Sequence, residues 1–358
     1  MSRKLGKNNL FLGAALLGLA MSQVASGAAS VSSTTTTIAI GGKTVTVYTV
    51  TADGAPFYGT SGAAGFPSAT YTHTPTKQSY KYYIPANPAL AGTTTAGAYT
   101  PVGLSNAFGV ALDGIPFDPL TSNCNGNSRS TENKCTFRVE GRLQTSPATK
   151  TSPYTSGRLG FDVHNGHSQS DGAYHYHGIT CGIVTTSGGS AAFTCDPVST
   201  TDWSSLPATG KVVGYARDGY PILVKKGIYA SYSVVTTATA GRPTISGFTT
   251  LGNLSADMSM LVTSGTTFKM PSSKTFADFT YTGPTTGYGT SANLGLCNEA
   301  ANTDASIKTL GGATAAYVYY LTPNFPMVPR CLIGLTDGST LNAQGFYNST
   351  VAFDGDEK

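Results

Sequence analysis

Four of the five histidines in this 358-residue chain fall between positions 164 and 177. The segment reads Asp162-Val-His164-Asn-Gly-His167-Ser-Gln-Ser-Asp171-Gly-Ala-Tyr174-His175-Tyr176-His177. Neutral imidazole is the commonest side-chain metal ligand. One ring nitrogen can hold the ion while the other donates a hydrogen bond. Three or four imidazoles with a neighbouring carboxylate suit copper or zinc; calcium takes about six to eight oxygens instead. The candidate ligands are His167, His175 and His177, with His164 and Asp162 completing the shell. Asp162 can serve as an oxygen ligand, as an acceptor for an imidazole N–H, or, like Asp171, as a general base. His73 stands alone in Tyr-Thr-His-Thr-Pro and reads as a surface histidine. The competing reading is a polar core of His and Tyr that holds no ion.

Local structure must bring these rings together. Tyr174 to His177 alternates as a strand does, and side chains two apart share a face. His175 and His177 therefore fall on one face and both tyrosines on the other. Asn165-Gly166 is a favoured hairpin loop, which would set His164 opposite His167. Ser168 to Gly172 is polar and can fold the first pair back on the second.

The surrounding chain carries a repeat. Gly109-Val-Ala-Leu-Asp113-Gly114-Ile-Pro116 and Gly214-Tyr-Ala-Arg-Asp218-Gly219-Tyr-Pro221 share the pattern G-x-A-x-D-G-x-P. Asp-Gly between β-formers predicts a hairpin with a tight I′ turn, and the proline is expected at an edge or bulge. The likeness extends from His164-Asn165 and Ala173-Tyr-His-Tyr176 to Cys297-Asn298 and Ala316-Tyr-Val-Tyr319. That pattern reads as a duplication in which one half kept the histidines. Ser32–Thr37 reads as disordered or as an entry strand. Lys43–Thr51 and Tyr80–Ile84 read as strands. Short helices are expected near Asn298–Lys308 and Gly227–Tyr232.

Composition sets the compartment. Arg3, Lys4 and Lys7, then an apolar run from Leu10 to Met21 and small residues at 25–28, read as an export signal ending at residue 27. Taking its three basic residues from the 22 Lys+Arg leaves 19 against 18 Asp+Glu. No basic surface for nucleic acid is expected, and no stable membrane insertion. Only 11% of residues are charged, against 43 glycines and 20 tyrosines, which suits an exported β-rich protein, periplasmic or extracellular. Six cysteines, at 124, 135, 181, 195, 297 and 331, read as disulfides in an oxidising compartment. Sequence leaves their pairing open, and 124–135, 181–195 and 297–331 is the simplest set.

The expected fold is mainly β, an internally duplicated, sandwich-like domain of hairpins with long loops, few short helices and disulfide staples. The expected division is a signal at 1–27, an N-terminal β-rich segment at 28–95 packing on the main domain, the main domain at 96–340, and a tail at 341–358. The two pseudo-repeats span about 109–181 and 214–335.

The chain resembles the YHYH-domain family of exported proteins over roughly residues 80–335. The resemblance rests on the hairpin 109–117, on Asp162, His167, Tyr174 to His177 and Cys181, and on the segment 214–222. It rests also on Cys297-Asn298, Tyr317 to Thr322, Phe325-Pro326 and Arg330-Cys331. It implies a family without implying a reaction. His167, His175 and His177 match the motif best. Relatives have Cys-Gly-Gly-His where this chain has His164-Asn165-Gly166-His167. His164 is then either an incidental substitute for a disulfide cysteine or an exchanged ligand.

Three functions fit. The first is an exported metal-binding protein. The second is a metal-dependent hydrolase or copper oxidoreductase, with Arg217 beside the second hairpin as an anion holder. The third is a structural or adhesive module without metal. Neither a zinc-protease HExxH helix nor a GxSxG elbow is present.

Overall fold

The computed structural model describes residues 31–40, 43–56, 73–92, 99–102, 107–119, 164–169, 171–186, 206–234, 275–276 and 279–335. The chain is mainly β. In order, the strands are β1 (Val31–Ile40), β2 (Lys43–Ala52), β3 (Tyr80–Pro85), β4 (Thr100–Pro101), β5 (Gly109–Ala111), β6 (Pro116–Phe117), β7 (Gly166–Ser168) and β8 (Tyr174–Tyr176). A helix α1 (Cys181–Thr186) precedes β9 (Lys211–Ala216), β10 (Pro221–Val224), β11 (Tyr232–Val234), β12 (Thr275–Phe276) and β13 (Phe279–Tyr281). The last strands are β14 (Glu299–Ala301), β15 (Tyr317–Tyr320) and β16 (Cys331–Leu332).

The central sheet has eight strands in the order β14-β15-β10-β9-β5-β6-β8-β7. That order is a palindrome of equivalent elements. β5 matches β9, β6 matches β10, β8 matches β15, and β7 matches β14. The two halves meet at an antiparallel seam with Gly109 opposite Ala216, Val110 opposite Tyr215, and Ala111 opposite Gly214. Each half then adds a hairpin partner and a parallel neighbour, Phe117 beside Tyr176 and Ile222 beside Tyr319.

The repeated motif now has a physical reading. At the seam, a Cβ on Gly109 would lie 2.5 Å from the Tyr215 carbonyl, and one on Gly214 would lie 2.3 Å from the Val110 carbonyl. Only glycine permits that approach. The loops differ from the expected I′ turns. Ala111 accepts from Gly114 N–H and donates to the Ile115 carbonyl; Ala216 does the same with Gly219 and Tyr220. These are three-residue loops with the glycine alone at positive φ, 84° in Gly114 and 91° in Gly219. A I′ turn needs positive φ at two positions, and aspartate does not take it here. Instead Asp113 and Asp218 accept through Oδ1 from the N–H two residues on. Pro116 and Pro221 open interior strands rather than edges. The loop has already interrupted the ladder there, so the missing N–H costs nothing.

The second carboxylate oxygen of each aspartate takes a phenol. Tyr176 donates to Asp113 Oδ2 at 2.7 Å, and Tyr319 donates to Asp218 Oδ2. Burial pushes both carboxyls up to about 6, and the phenols oppose that rise. Tyr174, Tyr176 and Tyr319 share the main core with Tyr80, Tyr82, Ile84, Phe108 and Phe117. A smaller core of Leu223, Ile228, Leu294, Ala300, Ile307, Val318 and Tyr320 sits separately beside the second half.

The N-terminal strands form their own sheet, β1-β2-β3. The Ser/Thr run is therefore an entry strand, paired with β2 from Val31↔Ala52 to Ile40↔Lys43. This sheet touches the hairpin 109–117 where the Tyr82 hydroxyl donates to the Gly114 carbonyl at 2.9 Å. Both expected helices are absent. Residues 299–301 pair as β14, and 227–231 turn into β11. Their short apolar runs lack the length that would separate helix from buried strand. Cys297 and Cys331 form a disulfide with Cα atoms 5.1 Å apart. Cys124, Cys135 and Cys195 lie outside the described residues, as do the expected signal at 1–27 and the tail at 341–358. No helix among the described residues is long and apolar enough to cross a membrane.

Replacing Tyr176 or Tyr319 by Phe strips a buried carboxylate of its phenol. Each change is expected to lower unfolding free energy by about 1–3 kcal/mol. The bond favours the ionised acid, so the loss should be larger at pH 8 than at pH 5. Equal urea midpoints for wild type and both variants would contradict this account.

Candidate metal centre

β7 and β8 pair antiparallel, with Gly166 opposite Tyr176, His167 opposite His175, and Ser168 opposite Tyr174. The hairpin closes between Gln169 and Ala173, not at Asn165-Gly166. Gly172 N–H donates to the Gln169 carbonyl, Gln169 N–H donates to Ala173, and Gly172 has φ 83°. Asp171 Oδ1 accepts from Ala173 N–H at 2.8 Å, so this exposed carboxylate is committed to the loop.

Asn165 does take a left-handed conformation, φ 64°, but it serves the end of β8. Its carbonyl accepts from His177 N–H at 2.8 Å, and its amide donates to the Ile179 carbonyl at 2.6 Å. Gly166 is needed for a different reason. A Cβ there would lie 2.2 Å from the Tyr174 hydroxyl, which packs over the bare backbone. His164 and His167 are therefore not cross-strand partners.

The expected face of β8 is realised. Tyr174 and Tyr176 enter the main core, while His175 and His177 point away from it together, with ring centroids 4.7 Å apart. His167 joins them from β7. His167 Nε2 lies 3.0 Å from His175 Nε2 and 3.1 Å from His177 Nε2. His167, His175 and His177 are 0%, 1% and 2% exposed, so bulk water does not reach the group. Among the described residues they form a group whose ligand atoms all lie within 4.8 Å of one another.

Protonation follows from contacts. His175 Nδ1 lies 3.3 Å from the Ala173 carbonyl. A carbonyl only accepts, so Nδ1 carries the proton and Nε2 keeps its lone pair for the group. Burial pushes His175 down to about 4, with the Ala173 carbonyl opposing. His167 is held well below the ordinary imidazole value by burial, then by the charges of His175 and His73. Burial thus favours the neutral form of His167 and His175.

The other predicted residues fall differently. His164 stands outside the group. Its Nδ1 accepts from Gly182 N–H at 3.1 Å at the start of α1, and burial pushes it down to about 4. Its equivalent in the second half is Cys297, which is crosslinked. Asp162 lies outside the described residues. Arg217 is buried in the β9–β10 loop, where Leu112 stands in the first hairpin. His73, read from sequence as a surface histidine, is partly exposed and stands outside the group.

The second half supplies an internal comparison. Glu299 faces Tyr319, Ala300 faces Val318, and Ala301 faces Tyr317. Asn298 repeats Asn165, with φ 54° and its carbonyl accepting from Tyr320 N–H. By this register His167, His175 and His177 correspond to Ala300, Val318 and Tyr320. All three of those are buried in the smaller apolar core. The same strand frame therefore closes over aliphatic and aromatic side chains without imidazoles.

A family model described as YHYH protein matches residues 81–334, from within β3 to just past β16. No curated protein matches the chain, and no solved structure does. The matched span holds the palindromic sheet, both aspartate–tyrosine pairs and all three converging histidines, and the chain belongs to the YHYH protein family.

Proposed function

We propose that this chain is an exported protein that binds one divalent transition-metal ion, copper or zinc, through Nε2 of His167, His175 and His177. One observation carries the reading. Three buried imidazole nitrogens converge at a register where the duplicate half buries Ala300, Val318 and Tyr320. The fold has an apolar solution for these positions, and the histidine half departs from it. A cation could accept a lone pair from all three nitrogens at once.

The spacing suits an ion. Ligand bonds of about 2.0–2.1 Å across separations of 3.0 and 3.1 Å give N–metal–N angles of about 95°. Three protein donors leave a four-coordinate ion one position for a further ligand. That supports the second reading, a metal-dependent enzyme, because three protein ligands with a free position can activate water. Export is supported by the leader-like residues 1–27 and by the Cys297–Cys331 disulfide, which suits an oxidising compartment. His164 then acts as a structural acceptor, in keeping with its crosslinked counterpart.

Purified protein titrated with zinc or copper is expected to take up one ion per chain. His175→Ala should weaken binding at least about a hundredfold, since a lost ligand costs more than a lost supporting partner. Absence of uptake by wild type at micromolar ion would end the reading. The combined variant His167→Ala, His175→Val, His177→Tyr installs the second half's residues. It should fold and take up no ion. Its melting temperature should not respond to chelator, whereas the loaded wild type should lose stability when stripped. If stripping leaves the wild type's melting point unchanged as well, a metal-free structural module is the better description.

Protons compete with the ion for Nε2. With His175 lowered to about 4 and His167 also lowered, competition starts well below the ordinary imidazole range. Half-release of the ion is therefore expected below about pH 5. Release centred near pH 6.5 would mean that burial does not protect these rings.

A further inference from the structure

Residues 76–87, with β3 at their centre, meet the loop of each strand pair in the eight-stranded sheet. Thr76 meets the β7–β8 loop, where its N–H donates to the Gly172 carbonyl at 2.9 Å and its hydroxyl donates to the Asp171 carbonyl at 3.1 Å. The Tyr82 hydroxyl donates to the Gly114 carbonyl of the β5–β6 loop at 2.9 Å. The Pro85 carbonyl lies against Gly219 of the β9–β10 loop, 2.5 Å from where a Cβ would stand. The Ala86 carbonyl accepts from Gly311 N–H of the β14–β15 loop at 2.7 Å. A glycine stands at every meeting point, and at Gly172 a Cβ would lie 2.2 Å from Thr76 Oγ1.

These contacts differ in what they hold. β7 closes the sheet order and, among the described strands, pairs with β8 alone. It is three residues long and carries His167, whereas His175 lies on β8, between β6 and β7. His167 keeps its place beside His175 only while this short edge pair stays formed. One end of the pair is closed by the Asn165 carbonyl, which accepts from His177 N–H at 2.8 Å. The other end is the loop between Gln169 and Ala173, and a short edge pair opens most readily from such an end. Thr76 bonds two successive carbonyls of this loop. Its hydroxyl is itself held by Gln78 Nε2, which donates to it at 3.1 Å.

We infer that Thr76 is a positioning residue of the metal site, latching the β7–β8 loop so that His167 stays in register with His175 and His177. This rests on the metal-binding reading above and adds what governs release of the ion. Opening the loop end carries His167 away and leaves a seat of two imidazoles, fewer than the three protein ligands of an open zinc site. An ion bridging β7 and β8 resists that opening, so latch and ion strengthen one another by the same factor. Thr76 lies before the residues matched by the family model, 81–334, so the latch comes from outside that span.

The test uses the full chain and zinc. Thr76→Val removes the hydroxyl donor, and zinc affinity should fall about fivefold to tenfold, chiefly through faster release. Thr76→Ser should restore it. Asn87→Ala, which disturbs the corresponding contact at the β14–β15 loop, where Thr309 meets Asn87 Oδ1, should leave zinc affinity unchanged. In wild type, hydrogen exchange of the Thr76 amide should slow on zinc loading by at least the factor lost in Thr76→Val, a measurement that holds even if the variant folds poorly. Unchanged exchange at Thr76, equal affinity in wild type and Thr76→Val, or equal losses in Thr76→Val and Asn87→Ala would overturn the inference while leaving the three-histidine seat intact. A wild-type chain that takes up no zinc would overturn both readings together.

Discussion

The hydrogen bond from a core tyrosine to a hairpin aspartate fixes the geometry on which the candidate site depends. Tyr176 reaches Asp113 across 63 positions in sequence, and Tyr319 reaches Asp218 across 101. Both carboxylates are buried, so an alternative register would leave an acid without a partner inside the core, a cost of about 1–3 kcal/mol or more. The bond therefore selects one pairing of β8 against β6 and one of β15 against β10. In a strand, a shift of one residue moves every side chain to the other face. Fixing Tyr176 toward the core thus fixes His175 and His177 away from it.

Duplication explains how such a face became available. Two hairpins related by the seam at Val110 and Tyr215 build one sheet, and each half has an outer strand pair whose far face must be covered. The second half covers it by ordinary means, with Ala300, Val318 and Tyr320 packed against Leu223, Ile228 and Leu294. The first half places three imidazoles at the same positions. The supporting parts are common to both: a left-handed asparagine at the strand entrance, a carbonyl from that asparagine to the end of the neighbouring strand, and the aspartate–tyrosine pair. What differs is confined to the inward-facing set, as expected for a site grafted onto a frame that folds without it.

Much of this was legible in the sequence. Alternation in Tyr-His-Tyr-His set the faces of β8, the Asp-Gly loops located the hairpins, and Tyr-x-Tyr in both halves signalled the duplication. The errors have identifiable causes. Asn165-Gly166 has the composition of a hairpin tip, yet each residue serves a separate demand, a left-handed entrance for Asn165 and close packing under Tyr174 for Gly166. Dipeptide preference cannot distinguish these uses. The same limit applies to the Asp-Gly loops, where aspartate contributes hydrogen bonds rather than positive φ. The prolines were expected at an edge or bulge; both open interior strands, and a register shift follows Pro221 between Ile222 and Leu223. No local pattern announces the contact between Thr76 and Asp171, 95 residues apart, that ties the segment before β3 to the histidine hairpin.

Buried ionisable groups of opposite tendency share the molecule. Asp113 and Asp218 are raised to about 6, and Glu299 to about 7, chiefly by burial. Raised acids contribute stability below the usual carboxylate range and lose it as pH climbs through 6 to 7. His164 and His175 are lowered to about 4, and His167 is also lowered, again chiefly by burial. Lowered imidazoles contribute stability above about 6.5 and lose it as pH falls toward 4. Between those limits the two sets pull in opposite directions, so the metal-free chain has a damped response to mild acid. An ion on His167, His175 and His177 removes that balance. It binds only the unprotonated rings, so it adds stability on the neutral side and none once the rings are charged. On the proposed reading, a loaded protein would therefore depend on pH more steeply than the empty one.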